Sequence, residues 1–183
     1  MVDVSGHFAF CLLFTLPAWL RWTGRTSLAF VGVALLTSML PDVDLFLRSF
    51  LPVVHHGITH TVFFVGCVAL LGGAVAAALD TSRVERLVHD ATVPRRTVFG
   101  FVAGGLFVGG VSHLFADVLS SPDVALPIRA LWPLSDAPLS VDLIYYDASL
   151  WNAGLFAVAV ALHLAVGYYR GLGTLRTPRV EGR

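Results

Sequence analysis

TVFFVGCVALLGGAVAAAL, residues 61–79, contains no charged residue and no proline. A run of about 20 such residues, coiled as a helix, matches the hydrocarbon thickness of a bilayer. The rest of the chain has the same character. Of its 183 residues, 56% are hydrophobic and 13% charged, with a mean hydropathy of +0.78. Soluble domains carry about 25% charge, so half that value at this hydropathy argues against a water-soluble globule. Disorder is excluded too, because apolar surface is ample and the formal net charge is zero. No basic excess is present to bind nucleic acid, since 12 Arg, without Lys, balance 12 acidic residues. The chain reads as one all-α integral membrane domain over residues 1–183.

Four more apolar runs accompany the first, at 6–20, 27–40, 98–117 and 150–169. The run at 150–169 reaches spanning length easily. The run at 98–117 does so only with its polar end, which carries His113 and Asp117. The other two are short, about 20 Å as helices, and Pro17 interrupts the first. Topology arbitrates. If all five cross, one side holds Arg21, Arg25, Arg83, Arg86, Arg95, Arg96, Arg170, Arg176, Arg179 and Arg183. The other holds only Arg48 and Arg129. This positive-inside asymmetry predicts five spans, the N-terminus outside and the C-terminus in the cytoplasm of a multi-pass cell-membrane protein. Were either short run not to cross, the asymmetry would cancel.

Trp and Tyr fall where interfacial rings belong. Trp19, Trp22, Tyr168 and Tyr169 lie at the inner ends of the first and fifth runs. Tyr145, Tyr146 and Trp151 lie at the outer start of the fifth, and Trp132 lies in the last outer loop. Gly100, Gly104, Gly105, Gly109 and Gly110 predict close helix packing rather than a phosphate loop. Cys11 and Cys67 stand alone in apolar runs and are expected to be small core residues. The first basic residue is Arg21, so a cleavable signal peptide is not expected. The inner loop 80–97 reads as a solvated helical turn with His89 at the surface, and the basic tail after Arg170 as a frayed end near headgroups.

On this topology the ionisable residues gather at one face. His7 opens the first helix there. Asp42 and Asp44, in LPDVD at 40–44, close the second after Pro41. His55, His56 and His60 open the third, with Thr59 as its candidate cap. His113 and Asp117 close the fourth and share a helix face one turn apart. Imidazole and carboxylate together form the ligand set for zinc, manganese or iron. Carboxylates buried near a membrane are costly unless a cation or hydrogen bonds compensate. Four helix ends that bring His and Asp to one layer therefore predict a metal centre, of one or two ions. Two ions can clamp the attacking and leaving oxygens of a phosphoester, and the ion brings the pKa of its water near neutral.

In these residues the sequence resembles the YdjM-type family of membrane-bound, metal-dependent hydrolases, some of them SOS-induced inner-membrane proteins. His7, LPDVD at 40–44, HHGITHT at 55–61, SHLFAD at 112–117 and WPLS at 132–135 carry the resemblance, in order, from His7 to Ser135. It implies Asp42, Asp44, His55, His60, His113 and Asp117 as metal ligands, joined by His7. Zinc is the first expectation and manganese the second. Asp42 or Asp44 is a candidate general base on the water. The family motif has Arg where His56 stands, which leaves a spare imidazole to ligate or to move a proton. The last outer loop, with Pro133, Leu134, Ser135, Asp136 and Asp142, is expected to lid the site, with Ser135 positioning substrate.

Three functions fit these residues. The first is an outward-facing, metal-dependent hydrolase of a phosphoester, with a lipid substrate favoured because the helix ends lie at the headgroup layer. The second is a metal-ion transporter, which would place ionisable groups near the midplane, often in paired repeats. Here the middles of the runs lack Asp, Glu and Arg, no repeat is evident, and His163 alone departs from that pattern. The third is a structural membrane protein that uses the metal as a staple.

Overall fold

The computed structural model describes residues 2–22, 24–79 and 93–170. The expectations for His89, for most of the inner loop and for the tail beyond Arg170 lie outside the described residues. Within them the secondary structure is helical, with two isolated bridge pairs, Ser120–Ile144 and Ile128–Leu139.

Helix α1, Val4–Thr15, starts where the Asp3 side chain accepts a hydrogen bond from the Gly6 amide at 2.8 Å, as an N-cap residue does. Pro17 brings no N–H, and after one turn the chain continues as α2, Ala18–Arg21. Helix α3 is Gly24–Thr37 and the short α4 is Val43–Leu47. A 3-10 turn at Ile58–His60 leads into α5, Val62–Ala78. Helix α6, Arg95–Leu119, follows Pro94, and α7 is Ser149–Arg170.

Three helical stretches are long and apolar enough to cross a membrane: Val4–Arg21, Arg95–Leu119 and Ser149–Arg170. The first was expected to be short and gains length by continuing past Pro17. Conversely, the run at 61–79 yields a helix of 17 residues, about 25 Å long. Thr61 and Leu79 are extended caps at its two ends, with ψ of 147° and 175°. The Thr61 hydroxyl accepts from the Phe64 amide, so Thr61 caps this helix and Thr59 does not. Asp42 and Asp44 lie at the start of α4 rather than closing α3.

Helix α6 is central, packed on α5, α3 and α1, while α1 also packs on α7. Glycines permit these approaches. A Cβ on Gly109 would overlap the Ala34 carbonyl of α3, and one on Gly110 would lie 2.5 Å from Val65 of α5. Large apolar side chains such as Leu70, Leu71, Leu150 and Leu164 are exposed on the outer faces of α5 and α7. Water would penalise such faces, whereas lipid does not.

Two expectations are corrected here. Cys11 is buried, but Cys67 faces outward on α5. Trp19 is no interfacial ring. It is fully buried, and its indole N–H donates to His163 Nδ1 at 2.9 Å. His163 Nε2 in turn donates to the Leu12 carbonyl at 2.8 Å, so both ring nitrogens are used in packing α7 against the first helices. Arg170 donates to the carbonyls of Trp19 and Leu20, placing its positive charge at the C-terminal end of α2.

Candidate metal centre

The start of α1, the end of α3 with the start of α4, the 3-10 turn before α5 and the end of α6 meet at one end of the bundle. His7, Asp44, His60, His113 and Asp117 are all buried there. Asp42 Oδ1 lies 3.3 Å from His60 Nε2 and 3.5 Å from His113 Nε2. Asp117 Oδ2 lies 3.2 Å from His113 Nε2 and 3.6 Å from His60 Nε2. The two imidazole nitrogens are 3.4 Å apart. Donor atoms around a tetrahedral zinc, each bonded at about 2.0–2.1 Å, stand about 3.3–3.4 Å from one another. The two imidazole nitrogens stand 3.2–3.6 Å from each carboxylate oxygen and 3.4 Å from one another, close to that spacing.

Tautomers sharpen the point. His113 Nδ1 lies 2.7 Å from the Ser38 carbonyl, and His56 Nδ1 contacts the Leu126 carbonyl. A carbonyl only accepts, so each Nδ1 carries a hydrogen. In a neutral ring each Nε2 then presents a lone pair, and both face the Asp117 carboxylate, at 3.2 and 3.9 Å. Acceptors face an acceptor. Neither Asp117 oxygen, nor His56 Nε2, nor either nitrogen of His7 has a hydrogen-bond partner among the described residues. Such buried groups are costly unless a cation or protons lie between them. A divalent ion fits this donor set.

Asp44 stands behind His60, not beside Asp117. Its Oδ2 is 3.2 Å from His60 Nδ1 and accepts from the Thr59 hydroxyl at 2.9 Å, while its Oδ1 is 2.8 Å from His55 Nδ1. A carboxylate on the remote nitrogen of an imidazole orients the ring for a metal at the other nitrogen. His7 stacks on His113, with centroids 3.9 Å apart and planes 8° apart, and its Nε2 is 3.6 Å from Asp117 Oδ1. Asp117 Oδ1 therefore faces His7, while Oδ2 faces His60, His113 and, at 3.9 Å, His56. Asp42, Asp44 and His55 form a further close group.

The loop residues carry perturbed acidities. Burial opposes ionisation of Asp42, but the imidazoles of His113 and His60 outweigh it and hold its carboxyl well below the usual range. Asp44 is held down in the same way, by His55 and His60 against burial. Burial lowers His56 to about 4, despite the Asp117 charge, so its ring is neutral at pH 7. Burial also opposes a charge on His60, yet Asp42 and Asp44 raise its pKa. A metal at Nε2 must displace that proton. Affinity is therefore expected to fall as pH drops through neutrality, by about tenfold per unit for one proton released. Calorimetric titrations at pH 6 and pH 8 check this; a pH-independent Kd contradicts it.

The fold enters through Gly109, one turn before His113. Close approach of α3 at this glycine lets the Ser38 carbonyl reach His113, and Thr37 Oγ1 donates to the Leu106 carbonyl at 2.7 Å beside it. Gly109→Val is expected to force the helices apart, at a cost of about 1–3 kcal/mol. It should lower the unfolding temperature and the metal content together. A variant of full stability and full metal content would show that this contact does not position His113.

The segment 120–148 wraps this end of the bundle. Val62 N–H donates to the Ala130 carbonyl at 2.9 Å, and Leu139 N–H to the Ile128 carbonyl at 2.8 Å. A cavity of about 330 Å³ lies beneath it, lined by His56, Gly57, Ile58, Thr61, Arg129, Trp132 and Asp136. Ser135 accepts from the Ala137 amide and is not in the lining, whereas its neighbour Asp136 is. Sequence reasoning gave no role to Thr59 on Asp44, to the Ser38 and Leu126 carbonyls, or to Arg129 beyond its place in the topology count. Thr59 stood in a quoted motif, but carbonyl acceptors leave no sequence signal.

Fold and site define a class: a helical membrane protein with a buried histidine–aspartate cluster suited to a metal ion, at one end of its helices. The chain belongs to the YdjM inner membrane protein family, whose sequence model matches residues 1–178. No curated protein and no solved structure matches the chain.

Proposed function

We propose that the protein is a metal-dependent hydrolase of a phosphoester, with phospholipids the favoured substrates, working at the outer face of the inner membrane. The observation that carries this reading is the set of Nε2 and carboxylate atoms turned toward one another around Asp117. His60, His113 and Asp117, with Asp42 beside them, would hold one divalent ion, zinc first and manganese second. His7 faces the other Asp117 oxygen and would serve a second ion, while His56 Nε2 stands 3.9 Å from the oxygen that His60 and His113 share. A divalent ion there supplies Lewis acidity that stabilises charge on a phosphoryl oxygen and ionises water near neutral pH.

The residues themselves divide the work. Asp44 fixes the His60 ring, and the Ser38 carbonyl fixes that of His113. Asp42, whose side chain is 12% exposed, forms the accessible edge and is placed to take a proton from an attacking water. Catalysis needs an open coordination position, which requires that the part-exposed Asp42 act on the water rather than complete the ligand set. Transport is disfavoured because His163, the one ionisable group in the middle of a described span, has both nitrogens in packing bonds.

Orientation follows from charge. Arg21, Arg95, Arg96 and Arg170 lie at the helix ends opposite the cluster, which supports five crossings with the cluster outside. Fusion of a cytoplasmic reporter into the 80–97 loop is expected to give signal; signal only from a periplasmic reporter would reverse the topology. The activity is tested with detergent-purified protein on a generic phosphodiester and on phospholipid micelles. Hydrolysis lost with chelator and restored by zinc or manganese supports the reading. Metal binding without hydrolysis of either substrate moves weight to the staple.

A further inference from the structure

Arg129 is carried on backbone that cannot drift. Its neighbours Ile128 and Ala130 are buried with Val65 and Leu114, and both have their carbonyls bonded, to the Leu139 and Val62 amides. The side chain between them is 64% exposed and lines the cavity of about 330 Å³ over His56. Its partner there, Asp136, is 3.9 Å away and still more open to solvent, so the pair is loose and screened. Trp132 and Ile58 complete the wall.

Around the cavity, large apolar side chains outside the long helices are exposed. Ile58, Leu131 and Leu134 belong to the segments that form it, and Leu134 is 93% exposed. A cation in a cleft with an apolar rim is complementary to an amphiphile: a phosphate with acyl chains attached. His56 also lines the cleft, and its buried ring has Nε2 3.9 Å from Asp117. A phosphate in the cleft is thus one imidazole from the metal centre.

We infer that the cavity between His56, Arg129 and Trp132 holds the phosphate of a phospholipid, with Arg129 as its anion contact and the exposed apolar rim against the acyl chains. This deepens the hydrolase reading, resting on it only for what happens to the lipid afterwards. Asp136 is then a competitor for Arg129. The two residues should act in opposite directions.

The test is equilibrium binding of dioctanoyl phosphatidylglycerol in detergent micelles to full-length protein stripped with chelator, so that no turnover is needed. Arg129→Gln is expected to weaken binding by about tenfold or more, as loss of a charge-assisted contact does. Arg129→Lys should recover most of it, and Asp136→Asn should tighten it by about two- to threefold. With metal restored, the same Arg129→Gln change should raise KM and leave kcat within about threefold. Unchanged binding in both Arg129→Gln and Asp136→Asn overturns the inference and leaves the metal hydrolase standing. Arg129-dependent binding with no hydrolysis keeps the lipid site and removes the hydrolase. Glycerol 3-phosphate is the soluble comparison. Binding of the lipid at least about tenfold tighter than glycerol 3-phosphate supports burial of its chains on the rim, and equal binding overturns the lipid assignment.

Discussion

Asp117→Asn is expected to abolish the stabilisation that added zinc or manganese gives the wild-type protein. Asp117 is the carboxylate whose two oxygens face imidazole Nε2 atoms, those of His60 and His113 from Oδ2 and that of His7 from Oδ1. A ligand present at 1,000 times its Kd stabilises the folded state by about 4 kcal/mol, which a thermal unfolding scan in detergent resolves. Wild type should show that shift and lose it with chelator. The variant should show none, with affinity reduced more than about 100-fold, beyond the range of an outer-partner mutation. The competing account makes Asp117 the partner of a protonated His113. Breaking such a buried pair costs about 3–5 kcal/mol, and it would do so equally with metal and with chelator. The two accounts thus differ in where the loss appears, and not only in whether one occurs.

Asp44→Ala should have the second-largest effect, of a different kind. Asp44 touches His60 Nδ1, His55 Nδ1 and the Thr59 hydroxyl, so it orients His60 from behind. Its loss should weaken metal binding by about 10–100-fold while saturating metal still fills the site to wild-type stoichiometry. Activity should return at high metal concentration. In Asp42→Ala, by contrast, saturating metal should not restore activity, because Asp42 faces both Nε2 atoms directly. Identical behaviour of the two variants would mean that the Asp44 carboxylate ligates, as its close group with Asp42 and His55 allows.

The gathering of His7, Asp42, His60, His113 and Asp117 was legible in the sequence because each lies at the end of an apolar run, and topology alone brings those ends together. What separates Asp42 from Asp44 was not legible. Both sit in LPDVD, and the first turn of α4 decides which carboxylate meets the Nε2 atoms and which backs His60. Carbonyls of Ser38 and Leu126 set two tautomers, and any residue type would offer that acceptor. Helix lengths were read from apolarity, which does not register that Thr61 and Leu79 adopt extended cap conformations or that the chain turns helical again past Pro17. Trp19 was assigned to the interface by residue type, whereas its indole N–H finds a buried partner in His163, far along the chain.

The most direct test of the central claim is the metal content of wild-type protein, purified in detergent without added metal or chelator, by elemental analysis. The expected result is about one or two zinc or manganese ions per chain, held by the ligands around Asp117, and their loss in the double variant His113→Ala with Asp117→Ala. Folded wild-type protein that carries no transition metal, and takes up none when zinc or manganese is supplied, would contradict it. Asp117 and its facing imidazoles would then be held by protons alone.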